Sequence, residues 1–386
     1  MRGKHRLRAS QGLDGSLEPV YLHLMSRRPD LSIAPFVIRE VQLRDLDALH
    51  TLSRHLNSVN FPHDRKTLNR QIRLARDSFT GRTEDPFRRT YLFVLELPKD
   101  NQVVGASMIY AQHGHLDAPH IFFDVFQDER YSTTLERHFM HTTLRLGFNY
   151  HGPTEIGALV LDPNHRSLGL GRPLSFVRFL FMAMYRPLFR DHVLAELMPP
   201  LTRDGRSMLW EHVGRRFTGL DYQEADKLSH TNKEFIIALF PQAIHATLLP
   251  TNVAAQIGQV GKDTQGVKQM LERIGFRYSN RIDPFDGGPH FEAPTDDITV
   301  VRHTARFGVS PRVVPAEDEN TVLHHGGESD HGLYRALIGV GQQEPPFQFR
   351  ATVGAVESSH DGLALSARLR ELLDIRPDTF VWAVAL

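Results

Sequence analysis

The chain opens its readable part on an alternation. FVIREVQ (36–42) places apolar and polar residues in turn and is rich in β-branched side chains, which predicts a strand. LRDLDALHTLSRHL (43–56) then repeats Leu46, Leu49, Leu52 and Leu56 at helical spacing. Asp45 and Asp47 lie in its first turn, where carboxylates suit the helix dipole. A second helix is expected over about 65–79. TYLFVLEL (90–97) and QVVGASMIY (102–110) flank PKDN and read as a hairpin. The stretch 111–150 is rich in His and aromatic residues and reads as an irregular insertion.

Order returns with a strand at 155–161. Two glycines in DPNHRSLGLGRPLS (162–175) separate it from an apolar helix, 172–186. Pro173 suits the first turn of that helix and Pro187 stops it. The helix is apolar nearly all round, so it is expected to be buried, and its aromatic residues are read as core packing. HVLAEL (192–197) is the next strand. Helices follow at about 204–216, 221–228 and 231–239. HATLLP (245–250) reads as a short strand, NVAAQIGQV (252–260) as a short helix, and TQGVKQMLERIGF (264–276) as an amphipathic helix stopped by Gly275. The remainder to about 303 reads as strand. Beyond 304, Pro, Gly and His punctuate 310–346, while FQFRATVGAV (347–356) and FVWAVAL (380–386) are strands. Three segments are therefore expected: a mobile basic tail (1–34), an α/β domain (35–304) and a small C-terminal β-rich subdomain (305–386).

Composition narrows the function classes. Lys+Arg and Asp+Glu both number 45, so no net charge points to nucleic acid or an anionic membrane. No apolar stretch approaches the ~20 residues that span a bilayer. The absence of Cys excludes disulfides, thiol nucleophiles and Cys-bound metals, and it fits a cytoplasmic chain. The 22 histidines invite a metal reading. Yet His113/His115/His120, His138/His141 and His324/His325/His331 carry no third ligand at a zinc spacing, so no metal is expected.

A strand, a Gly-rich loop and a helix N-terminus point backbone N–H groups at one spot, which favours an anion. An ordinary tight turn would have the same look. A nucleoside-triphosphate loop needs Lys-Ser/Thr after its last Gly, and Arg172-Pro173 stand there. A dinucleotide loop needs a third Gly at 174, which is Leu174. The R/Q-x-x-G-x-G/A loop of acyl-CoA N-acyltransferases matches Arg166-Ser167-Leu168-Gly169-Leu170-Gly171 at every defined position. Acyl transfer to an amine then needs a base, for which Glu155 at the head of the preceding strand is the candidate. An arginine acceptor would need carboxylates for its guanidinium, and Glu196, Asp283, Asp286 and Asp226 are available.

The motifs extend well past the loop. EIGALVLDPNHRSLGLGRPLSFVRFLFMAMY (155–185), LAELM (194–198), GRSMLWEHVGRRFTGLDYQEADKLS (205–229), NKEFIIALFP (232–241), IGQV (257–260), LERIGFRYSNRIDPFDGGPHFEA (271–293) and DDITVVR (296–302) together resemble the arginine N-succinyltransferase family over roughly 36–303. The resemblance implies an α/β (α+β) acyl-CoA N-acyltransferase fold of the GNAT type with a C-terminal β subdomain. It implies transfer of the succinyl group of succinyl-CoA to the α-amino group of arginine or a related amine. The strand backbone at Leu159 and Leu161 would meet the pantetheine arm, and the N–H groups of 167–172, Arg172 included, the pyrophosphate. Succinyl-CoA is then a co-substrate, and no permanently bound cofactor is implied. The partners are small molecules, with homo- or hetero-oligomeric assembly left open.

Three positions depart from the family pattern. Gly261 follows IGQV where the family carries a His regarded as proton donor. VNFP (59–62) replaces a TSLP-like stretch, and Met198-Pro199-Pro200 replace an Arg-Gly. His245, Asp263 and Tyr222 are the candidates in nearby sequence to replace the missing acid, with no choice among them. A catalytically weakened or regulatory subunit that binds acyl-CoA is the alternative function.

Overall fold

Alternate residues of a central strand face helices on opposite sides of the sheet, and this arrangement organises the molecule. The structure is a computed structural model, and it describes residues 35–56, 61–116, 118–229, 232–325, 332–342, 345–376 and 378–386. The expected tail (1–34), residues 59–60 of VNFP, and His331 lie outside them. The strands are β1 (Val37–Glu40), β2 (Thr90–Leu97), β3 (Gln102–Tyr110), β4 (His120–Ser132), β5 (Arg137–Asn149), β6 (Thr154–Leu161), β7 (His192–Glu196), β8 (Ala243–His245), β9 (Arg277–Ile282), β10 (Pro289–Pro294), β11 (Ala305–Val314), β12 (Leu333–Gly341), β13 (Phe349–Ser359), β14 (Gly362–Ser366) and β15 (Phe380–Ala385). They join in the order β12-β15-β11-β14-β13-β1-β2-β3-β6-β7-β10-β9-β4-β5-β8.

On β2, Leu92 and Val94 face helices α1 (Leu46–Leu52) and α2 (Arg65–Phe79), packing with Leu49, Leu68 and Ile72. Tyr91, Phe93 and Leu95 face the other way, onto helix α3 (Gly171–Met184) through Val177, Leu180 and Phe181. Both faces are covered, so β2 reads as an unbroken apolar run. The expected 65–79 helix coincides with α2, capped by Asp64, whose carboxylate accepts the Thr67 N–H.

The C-terminal strands close on themselves. β12 pairs with β15 and also with β13, so β13, β12, β15, β11 and β14 form a five-stranded barrel. Ala336, Ile338 and Val340 of β12 fill its interior. Leu337 faces outward into the α3 core. β13 also pairs with β1, at Ile38↔Ala351. Helix α3 is thus held between the main sheet and the barrel wall.

Three expectations are corrected. Residues 111–150 are not irregular: β4 and β5 form a long antiparallel hairpin in register from His120↔Asn149 to Ser132↔Arg137. Towards its tip Phe126, Tyr131, Phe139 and Met140 are exposed, so cross-strand hydrogen bonds, not alternate burial, define the strands. The stretch before 303 is not strand throughout, since Thr299–His303 is a helical turn. HATLLP is strand only as far as His245 and then turns into a 3₁₀ segment, Ala246–Leu248.

Candidate active site

The parallel pair β6–β7 is hydrogen-bonded only near Thr154↔Val193 and Glu155↔Leu194. Past Glu155 the two strands part. β6 carries an irregularity there: its register against β3 shifts between Ala106 and Met108, and Ala158 has φ +48°. The edge of β6 from Ile156 to Leu161, with Leu159 half-exposed, is therefore left without β7 as a ladder partner. Such an edge can pair with the amides of an extended ligand.

At the end of that edge the chain turns through a 3₁₀ segment, Pro163–Leu168, into α3. Gly169 has φ +67°, a left-handed conformation that side chains resist. A Cβ at Gly171 would meet no heavy atom within 4 Å, so the start of α3 faces open space. First-turn N–H groups of a helix lack internal partners and attract anions. Within the expected loop, Leu170 is buried in the core, so only its backbone can meet a ligand, and Leu168 packs half-buried against the same core. Arg166 reaches back to the Leu161 carbonyl at 3.5 Å. Beneath the loop, the buried Arg178 donates to Ser175 Oγ at 2.7 Å and to the Gly157 carbonyl at 3.4 Å, bracing the irregular part of β6. Burial brings its pKa down to about 9.

Glu155 is buried and accepts a short hydrogen bond from His113 Nδ1. The loop bearing His113 is built to hold it there. The His113 N–H donates to the Pro153 carbonyl at 2.7 Å, and Thr154 Oγ1 donates to the Ala111 carbonyl at 2.8 Å. Gly114, at φ +82°, lets the loop pass under Asn149 and His120, where a Cβ would lie 2.4 Å from a carbonyl oxygen. Burial disfavours the His113 imidazolium, but the charge and hydrogen bond of Glu155 outweigh it and raise the pKa.

Glu155 and Leu194 are register partners, so Glu196 lies on the same face as Glu155. Glu196 Oε1 stands 3.5 Å from His120 Nε2 and 3.4 Å from His290 Nε2. Neither imidazole nitrogen has a hydrogen-bond partner. Burial and the neighbouring His113 push His120 well down, and burial, against the opposing pull of Glu196, brings His290 to about 3. Burial disfavours the Glu196 charge, yet His290, His113 and Lys233 together hold its pKa low. His113, His120 and Glu196 offer ligand atoms within 4.8 Å of one another. The third donor that sequence spacing did not supply thus comes from β7. This N, N, O set suits either proton handling or a divalent cation.

The expected acceptor carboxylates converge as well. Asp283 Oδ1 accepts the N–H groups of Phe285 and Asp286 at 2.7 and 3.1 Å, and Asp286 Oδ1 accepts that of Gly288 at 2.7 Å. One oxygen of each therefore builds the turn. Burial and the Glu196 charge raise Asp283 to about 7, and burial with the Asp283 charge raises Asp226 to about 7. Asp286 is raised well above the usual range by burial, Asp283 and Glu196. The group is a buried nest of carboxylates short of positive charge.

Of the three substitute acids, only Tyr222 reaches this nest, where burial and Asp286 keep its phenol protonated. His245 and Asp263 are exposed side chains. Gly261 is locked: its N–H donates to the Met198 carbonyl at 2.9 Å, and a Cβ would lie 2.8 Å from the Pro199 oxygen. Sequence reasoning missed His290 and the bond between His113 and Glu155. Only strand register and a loop far from β10 bring these groups together, and no local spacing signals that.

A sheet splayed between two parallel strands, with a Gly-rich turn into a helix N-terminus at one end and a buried His–Glu pair at the other, is the architecture of an acyl-CoA N-acyltransferase. The family model "Arginine N-succinyltransferase beta subunit" matches residues 36–300. The arginine N-succinyltransferase of Yersinia pestis (strain Pestoides F) is 36% identical over 309 residues, covering 78% of this chain and 88% of that protein. That of Escherichia fergusonii is 34% identical over 306 residues, with the same coverage. The solved structure of arginine/ornithine succinyltransferase subunit AI from Pseudomonas aeruginosa superposes with a TM-score of 0.75 at 26% identity, covering 91% of this chain and 98% of that one. The chain belongs to the arginine N-succinyltransferase family.

Proposed function

We propose that the chain transfers the succinyl group of succinyl-CoA to the α-amino group of arginine. Pantetheine lies along the free edge of β6 near Leu159 and Leu161, and the N–H groups of residues 167–172 receive the pyrophosphate. Glu196, Asp226, Asp283 and Asp286 receive the guanidinium, whose charge relieves their mutual repulsion. The α-ammonium gives a proton to His113, which Glu155 orients. The freed amine attacks the thioester carbonyl. The C–N bond forms, the C–S bond breaks, and the leaving thiolate takes a proton from the imidazolium or from water. Glu155, the base expected from sequence, becomes the positioning partner of a half-exposed base.

The observation that carries this reading is the Glu155–His113 pair at the point where β6 and β7 part. It also weakens the regulatory alternative, which rested on Gly261, because an imidazole stands at the splay by another route. A cytoplasmic location belongs to the same reading. No helix among the described residues is long and apolar enough to cross a membrane.

The test is thiol release from succinyl-CoA with arginine, repeated over a panel of acyl-CoAs and amines with products read by mass spectrometry. Turnover with succinyl-CoA and arginine is expected from the isolated chain. Acyl-CoA binding without turnover would sink the reading in favour of the regulatory one. Turnover that survives a chelator assigns the histidine cluster to proton transfer, and turnover lost to the chelator assigns it to a metal.

A further inference from the structure

The N-terminal end of α3 faces the barrel as well as the splay. From Leu337 to Gly341 the odd-numbered residues of β12 point out of the barrel towards α3. A Cβ at Gly339 would lie 2.8 Å from Leu180 Cδ2, and one at Gly341 would lie 2.3 Å from the Tyr185 hydroxyl and 3.1 Å from Met184 Cε. Leu337 packs in the same core. Arg335 belongs to this row. From Arg335 to Gly341 the strand covers about 20 Å, and from Arg172 to Met184 the helix covers about 18 Å. With Gly341 beside Met184, strand and helix run alongside each other and Arg335 comes level with Arg172, at the end of the Gly-rich loop.

The charges there have one sign. Burial and the Arg172 charge bring Arg335 down to about 10, and desolvation and the Arg273 charge lower Arg172. Arg335 Nε is buried with no hydrogen-bond partner. Among the described residues no carboxylate pairs with Arg335. A buried guanidinium N–H left unpartnered beside anion-attracting N–H groups suits an anion.

We propose that Arg335 of the barrel, with Arg172, clamps a phosphate of the coenzyme, so that the C-terminal strands form part of the acyl-CoA site. The inference rests on the acyl-CoA reading. Coenzyme A carries a pyrophosphate and a 3′-phosphate, and either matches a guanidinium fork.

Calorimetric titration with coenzyme A and with 3′-dephospho-coenzyme A tests it, on the full chain and on Arg335→Ala and Arg335→Gln. Arg335→Gln keeps most of the side-chain volume and carries the test if Arg335→Ala does not fold. Coenzyme A binding is expected to weaken about 10- to 100-fold in the variants. The KM for succinyl-CoA should rise with kcat little changed, which a purely structural role would not produce. A loss confined to coenzyme A assigns the clamp to the 3′-phosphate, and a loss shared by the dephospho form assigns it to the pyrophosphate. Unchanged affinity in Arg335→Gln overturns the proposal while leaving the acyl-CoA reading intact. Failure of the unmodified chain to bind coenzyme A overturns both.

Discussion

At the residue scale the decisive pair is His113 and Glu155. To accept a proton His113 must be neutral, and Glu155 raises its pKa above 6.5. The kcat/KM profile should therefore climb with pH through an inflection above that value. Glu155→Gln removes the charge that favours the imidazolium, so burial prevails and the inflection moves to lower pH. The rate should also fall by about 10²–10⁴-fold as the base loses its orientation. An unmoved inflection would remove His113 from the mechanism. The carboxylate nest titrates separately. Asp226 and Asp283 sit at about 7, and a guanidinium binds their charged forms. Arginine should accordingly bind more tightly as pH rises from 6 to 8, by roughly tenfold over the whole interval where one carboxylate dominates, and level off above it. Calorimetry on Asp283→Asn should show a weaker dependence, and an equally steep one would place the proton elsewhere.

At the scale of elements, two departures from the family pattern turn out to be one. Met198-Pro199-Pro200 leave β7 in a path whose carbonyls crowd Gly261, so a side chain at 261 has no space. Gly261→His is expected to cost about 1–3 kcal/mol by overpacking and to lower the melting temperature without a gain in rate. A faster, equally stable variant would refute that reading. Gly171 is the opposite case, since open space lies above it. Gly171→Val should fold and yet raise the KM for succinyl-CoA, because its side chain would stand where the ligand approaches. The strand, the loop and α3 were legible from sequence, because a tight turn before a buried helix makes local demands that residues such as Gly169 must meet. The β4–β5 hairpin was not legible, because its outer half buries neither face and so has no period to read.

Over the whole molecule, α3 is covered on one side by β2 and β3 and on the other by the barrel. β1 takes β13 as its second neighbour. A chain ending at residue 304 would expose Leu180, Phe181 and Met184 and free an edge of β1. It is expected to lose near-ultraviolet circular dichroism and to bind a hydrophobic dye, as a chain without fixed packing does. A soluble, cooperatively unfolding product would show that residues 305–386 are dispensable for folding.

The sequence by itself determined the elements around the loop, the Gly positions, the absence of thiol chemistry and the resemblance that implied acyl transfer. All but the resemblance, which rests on collinear motifs, follow from local backbone requirements and side-chain inventory, which need no partner. Tertiary structure alone decided that His113 engages Glu155, that His120 and His290 flank Glu196, and that Arg335 comes level with Arg172. Each of these depends on strand register between segments far apart in the chain, and local periodicity carries no information about which strands will meet.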